Sequence, residues 1–199
     1  MYWYEEDVRA LERDRIRPAI GTAPPAFYGS SSIRLWDSLA EDVGPGIVNL
    51  GFGGSTLEAC DYFFQRIVPP VRPPSLLLYA GDNDLGDGRS PDQVFGWFRS
   101  LSDKVEAALG GIPLGFLSIK PSPARRSILD RIMHTNSLVR AYTGTRPSLY
   151  YVDIVPAMLD AAGNPDPALF AADGLHLSRE GYRVWGRALA PYHDKIFTK

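Results

Sequence analysis

A single cysteine, three histidines, no long apolar run and no excess of either charge set the first limits on this chain of 199 residues. One thiol cannot close an internal disulfide, so nothing in the sequence calls for an oxidising compartment. Cys60 lies within an apolar helix face and reads as a small buried hydrophobe rather than a nucleophile. No stretch approaches the ~20 apolar residues of a membrane span. The opening Met1-Tyr2-Trp3-Tyr4-Glu5-Glu6 has neither the basic lead nor the apolar core of a secretory signal, and a cytoplasmic location is the expectation. With 21 basic against 23 acidic residues, net −2, there is no polybasic field for nucleic acid or anionic membrane and no acidic tail. The expected partner is a small molecule.

Several chemistry-bearing motifs are also missing. No Gly-Lys-Ser/Thr phosphate loop occurs, and Gly51-x-Gly53-x-x-Thr56 lacks the third glycine of a dinucleotide loop. The Gly-x-Ser-x-Gly elbow of α/β-hydrolases is absent. Asp82, Asp84 and Asp87 hint at a calcium loop, but Gly86 and Gln93 occupy positions where that pattern needs oxygen ligands. No metal and no cofactor are expected.

What is present is a hydrophobic share of 45% with 12% aromatics, enough for a substantial core. The expectation is one domain over 1–199, with 1–25 an N-terminal helix and linker packed on it. Residues 4–15 alternate charge around Val8 and Leu11 at helical spacing, and a linker runs from Pro18 to Pro25. Strands are expected at Phe27-Tyr28, Ile47–Leu50, Ser75–Ala80, Ile112–Ile119 and Leu149–Ile154. Between them, Ile33, Trp36, Leu39 and Ala40 describe one helix face, and helices follow at Leu57–Ile67, from Pro91 to Gly110, at Arg126–Tyr142 and at Ser178–Tyr192. Such alternation predicts an α/β fold: a five-stranded parallel sheet with helices on both faces, joined by right-handed crossovers. Trp36, Trp97 and Trp185 fall on helix faces and read as core, Trp3 as surface or interface, and His134 and His193 as structural.

In a sheet of this kind the working groups gather on loops after the strand carboxyl ends. Phe27-Tyr28-Gly29-Ser30-Ser31-Ser32 breaks from strand into helix, which holds Ser31 out with its amide at a helix N-terminus. The same position is an ordinary place for an N-cap worth ~1 kcal/mol. Far along the chain, Asp173-Gly174-Leu175-His176 supplies a carboxylate and an imidazole three residues apart, a workable set of partners for a nucleophilic serine. The Ser31 amide, the Gly54 amide and the Asn83 carboxamide are candidate donors to a developing oxyanion. A tight turn at Gly51–Gly54 and an Asx turn at Asn83 explain the same residues without chemistry. Lys120, Arg125 and Arg126 read as a solvated helix start, with the alternative that they reach a polar or anionic part of a substrate.

These residues resemble the SGNH (GDSL-type) hydrolases. Gly29-Ser30-Ser31 looks like that family's first block, Gly54 its second-block glycine, Gly81, Asn83 and Asp84 its third block, Asp173 and His176 its last, and Gly181-Tyr182 also fits. The blocks span 27–182 in the family's order. The resemblance implies a flavodoxin-like three-layer α/β/α fold and metal-free ester hydrolysis, with Ser31 as nucleophile and His176 and Asp173 completing the triad. One departure stands out, since Ser30 replaces the usual aspartate before the nucleophile. The expected function is therefore hydrolysis of small acyl esters, acetyl or short-chain, an acylated sugar being one such substrate. The absence of a large lid insertion between blocks favours small acyl groups over long lipids. Two alternatives stand beside it: a catalytically silent ligand-binding module, and an acyltransferase to a sugar or alcohol acceptor.

Overall fold

The computed structural model describes residues 1–13 and 23–197. The last residues of the expected N-terminal helix and positions 18–22 of the expected linker lie outside them.

Helix α1 (Glu5–Arg13) precedes strand β1 (Ala26–Gly29), which runs into two four-residue helices, α2 (Ser31–Arg34) and α3 (Leu39–Asp42). Strand β2 (Val48–Gly51), helix α4 (Leu57–Ile67) and strand β3 (Leu76–Tyr79) follow, then the short helix α5 (Asp82–Gly86) and the long α6 (Pro91–Leu109). The chain continues through β4 (Leu114–Leu117), α7 (Leu129–Thr143), β5 (Leu149–Val152), α8 (Arg179–Leu189) and α9 (His193–Ile196). The five strands form one sheet in the order β2-β1-β3-β4-β5, every neighbouring pair parallel. This is the doubly wound flavodoxin-like order, and it places the topological switch point between β1 and β3.

Alternate strand residues feed two separate cores, as a sheet covered on both faces requires. Ala26, Tyr28, Leu76, Leu78, Leu114 and Phe116 pack with α1, α4, α6 and α7. Phe27, Leu77, Tyr79, Leu117 and Val152 pack on the opposite face with α2, α3, α8 and α9. Local signals set the helix ends. Ser90 and Gln93 form a reciprocal capping box around Pro91, and Gly110 ends α6 in the left-handed conformation. No helix among the described residues is long and apolar enough to cross a membrane.

Three expected boundaries shift. The predicted face through Ile33, Trp36, Leu39 and Ala40 is two helices rather than one, and Ala40 is exposed. Trp36 turns into the second core, stacked on Tyr182 at 5.2 Å, while its Nε1 donates to Asp42 at 2.8 Å. The fourth helix begins with a 3-10 segment, Pro123–Ile128, and becomes α-helical at Leu129. The closing helix ends at Leu189, and a 3-10 turn through Pro191 leads into α9. Trp97 is half-buried against the first core, Trp36 and Trp185 are buried, and Trp3 is exposed. His134 and His193 are both on the surface, so neither is a core residue, and His193 has an acidic neighbour in Asp194 at 3.4 Å.

Candidate active site

Gly29, the last residue of β1, has φ +144°, and a Cβ there would sit 1.9 Å from the Tyr79 carbonyl oxygen. Only glycine lets β1 run this close to β3 at the sheet's carboxyl edge. The Ser30 amide then donates to the same Tyr79 oxygen at 2.9 Å, and the chain turns into α2. Ser31 is the first residue of that helix, so its N–H has no intrahelical acceptor and its side chain stands at the rim. Ser30, not Ser31, occupies the N-cap position of α2, and its side chain makes no capping bond.

The imidazole arrives from the far end of the chain. His176 Nε2 lies 3.1 Å from Ser31 Oγ, and His176 Nδ1 lies 2.6 Å from Asp173 Oδ2. With Nδ1–H donating to the carboxylate, Nε2 is left as an acceptor for the serine hydroxyl. Asp173 is itself fixed by the amides of Leu175 and His176, each 2.9 Å from its Oδ1. The Leu175 amide first, then the His176 imidazole, hold the Asp173 carboxyl down at about 2. The turn carrying both residues is closed by Gly174 N–H to Ala171 and Ala171 N–H to His176, and Ser178 behind it caps α8. Tyr182, on α8, donates its hydroxyl to the Ser32 carbonyl at 3.0 Å. That bond ties the helix after the histidine to the turn bearing the serine.

The second loop brings Gly54, exposed with φ +65°, where a Cβ would meet nothing within 4 Å. Its open face leaves room for a close approach from solution, and its backbone conformation is one that favours glycine. Ser55 next to it knits the loops together, donating Oγ–H to the Gly29 carbonyl at 3.0 Å and accepting at its own carbonyl from Asn83 Nδ2 at 3.1 Å. An amide nitrogen has two hydrogens, so Asn83 keeps a second donor. Asp84, also in the matched block, supports α4: its carboxylate accepts from Leu57 and Glu58 N–H at 2.7 and 3.2 Å. Burial pushes the Asp84 carboxyl up to about 6 despite those two bonds.

Lys120 corrects its expectation. It is not part of a solvated helix start but is 1 % exposed, with Nζ donating to Asp82 Oδ2 at 2.7 Å, Tyr79 Oη at 3.0 Å and Ser32 Oγ at 3.3 Å. Three donors meet three acceptors on the strand end, the Ser30–Ser32 turn and α5. Burial alone would raise the Asp82 carboxyl, but the Lys120 charge takes it below its ordinary value. Arg126 is exposed and donates to Asn164 at 2.9 Å. Cys60 is buried and free, as expected.

Sequence reasoning did not find the N-terminal support of this site. Tyr4 Oη donates to the Gly54 carbonyl at 3.0 Å, and Asp7 accepts from the Gly53 amide at 3.2 Å. The only signal was a tyrosine and an aspartate three residues apart at the start of an amphipathic helix, which is too common to single out.

A family model described as GDSL-like Lipase/Acylhydrolase matches residues 20–184. No curated protein sequence matches the chain. Among solved structures, a GDSL-like lipase from Bacteroides thetaiotaomicron superposes with TM-score 0.79 at 20% identity, covering 98% of this chain and 99% of that one. A catalytic serine-to-alanine mutant of an acetylxylan esterase from Geobacillus stearothermophilus gives 0.69 at 16% identity, with 86% and 94% covered. A carbohydrate esterase family 3 protein from Talaromyces cellulolyticus gives 0.67 at 14% identity, with 86% and 97% covered. At these identities the likeness is one of fold.

Proposed function

The chain belongs to the GDSL-like lipase/acylhydrolase family, and from that premise we propose that it is a serine esterase that removes small acyl groups through an acyl-enzyme on Ser31. The observation that carries this reading is the unbroken run from Ser31 Oγ to His176 Nε2 and from His176 Nδ1 to Asp173, at 3.1 and 2.6 Å. A structural serine has no need of an oriented base.

His176 takes the Ser31 proton as Oγ attacks the ester carbonyl, and Asp173 stabilises the resulting imidazolium while holding its orientation. Negative charge then collects on the former carbonyl oxygen, where the Ser31 and Gly54 amides and the free Asn83 N–H receive it. Each such donor is worth roughly 2.7–4 kcal/mol in a comparable site. Collapse of the intermediate returns the proton from His176 to the departing alcohol. Water, activated by the same imidazole, repeats the sequence and frees the acid. Acetyl or short-chain esters, acylated sugars among them, are the proposed substrates. The lack of a lid insertion supports small acyl groups, as do the acetylxylan esterase and carbohydrate esterase named among the structural neighbours.

The test is Ser31→Ala. Hydrolysis of a short-chain activated ester should disappear with the melting curve unchanged, and a fluorophosphonate should label the parent protein at Ser31 and not the variant. Full turnover by the variant, or no adduct on the parent, overturns the proposal.

A further inference from the structure

Arg125 has no ion pair or side-chain hydrogen bond among the described residues, although its charge helps to hold the Asp82 carboxyl down through space. The neighbouring Lys120 is neutralised by Asp82, Asp84 is taken up by the α4 amides, and Arg126 leans on Asn164. Arg125 Nε is shut off from solvent with no hydrogen-bond partner among the described residues, although the residue as a whole is half-buried rather than enclosed. Three residues earlier on the same loop, the Ser122 hydroxyl is also buried without a partner among the described residues. Leaving buried polar groups unmatched is unfavourable.

The guanidinium has a built seat. A Cβ at Gly86 would lie 2.4 Å from its Cζ and 2.6 Å from each terminal nitrogen, so the planar group is laid flat on the one helix face that has no side chain. Asn83 stands one turn earlier on the same helix, and residues three apart on a helix have Cβ atoms about 5–6 Å apart. On the other side, the Ala124 amide donates to the Gly174 carbonyl at 3.0 Å, inside the turn that carries Asp173 and His176. Arg125 is thus held between the loop of the candidate oxyanion donor and the loop of the candidate base.

We infer that Arg125 forms an anion-binding subsite of the active site and that the preferred esters carry a carboxylate or phosphate close to the scissile bond. This rests on the esterase reading above and adds a substrate class to it. A guanidinium presents its donors as a planar fork matched to such oxyanions, and here the stem is already ordered, so little entropy remains to be lost on binding.

The experiment compares kcat/KM for ortho-nitrophenyl acetate with two charged relatives, one carrying a carboxylate on the leaving phenol and one carrying it on the acyl chain as a hemisuccinate. The parent protein should prefer at least one charged ester over the neutral one, and Arg125→Gln should lower that preference about tenfold, chiefly through KM. Arg125→Lys, which keeps the charge, should retain part of the preference, and added salt should erode it. A charged-to-neutral ratio that stays within twofold in Arg125→Gln for both relatives overturns the inference and leaves the esterase reading intact. A parent protein that hydrolyses none of the three esters overturns both.

Discussion

The Tyr4 hydroxyl donates to the carbonyl of Gly54 at 3.0 Å, across fifty positions of sequence. With the Gly53 amide on Asp7, the N-terminal segment through the start of α1 grips the second loop at two points. The ring of Tyr4 packs edge-on against Phe52 and Phe63, so its removal would do more than break a hydrogen bond. Tyr4→Phe keeps the packing and deletes the donor. It should cost about 1 kcal/mol of stability and lower kcat several-fold with KM nearly constant, because in the proposed mechanism the Gly54 amide would lose its aim at charge that exists only in the transition state. Steady-state kinetics beside a thermal melt checks it. A lower melting temperature with unchanged kcat would assign the contact to stability alone.

Asp173→Asn should preserve the turn and lower kcat by about 10⁴, the loss expected when the imidazole is no longer held in the right tautomer. The pH behaviour follows from the sign of the shift. The folded carboxyl titrates at about 2, below its ordinary value near 3.8, so its stabilising contribution is complete above the ordinary value and is lost as pH falls through that value towards 2. Acid-side loss of kcat/KM above about pH 4 therefore does not report protonation of Asp173. A rate profile measured alongside circular dichroism separates loss of activity from loss of structure.

Lys120→Met strips the buried Asp82 carboxylate of its hydrogen-bonded cation, leaving only the Asn83 amide and the through-space charge of Arg125, and should destabilise the protein by about 3–5 kcal/mol. The double replacement Lys120→Met with Asp82→Leu removes both charges and should recover most of that loss. Chemical denaturation of the parent protein and the two variants gives the comparison, and equal stability of the single and double variants would refute the pairing account.

How much of this was readable beforehand depended on distance along the chain. The strands were legible because Leu76–Tyr79 and Leu114–Leu117 are buried on both faces and so must be apolar throughout. Ser31, Gly54, Asn83, Asp173 and His176 were legible because each sits on a loop at a strand end or helix start, where small and polar residues stand out. Lys120 was hidden, since a lysine beside prolines and arginines looks solvated until the acid it meets, 38 positions away, is in view. The break between α2 and α3 was hidden too. Its cause is the turn of Trp36 towards Tyr182 and Trp185, a tertiary demand that no local periodicity encodes.

The fully enclosed Cys60 has a practical side. Burial pushes its thiol well above the ordinary range for cysteine, so the nucleophilic thiolate does not form under mild conditions. Since it is the sole sulfhydryl in the sequence, the molecule offers a silent background for maleimide chemistry. A single reporter, a dye or a spin label, can be attached through one engineered cysteine at an exposed site such as Tyr62, without first stripping out a native thiol.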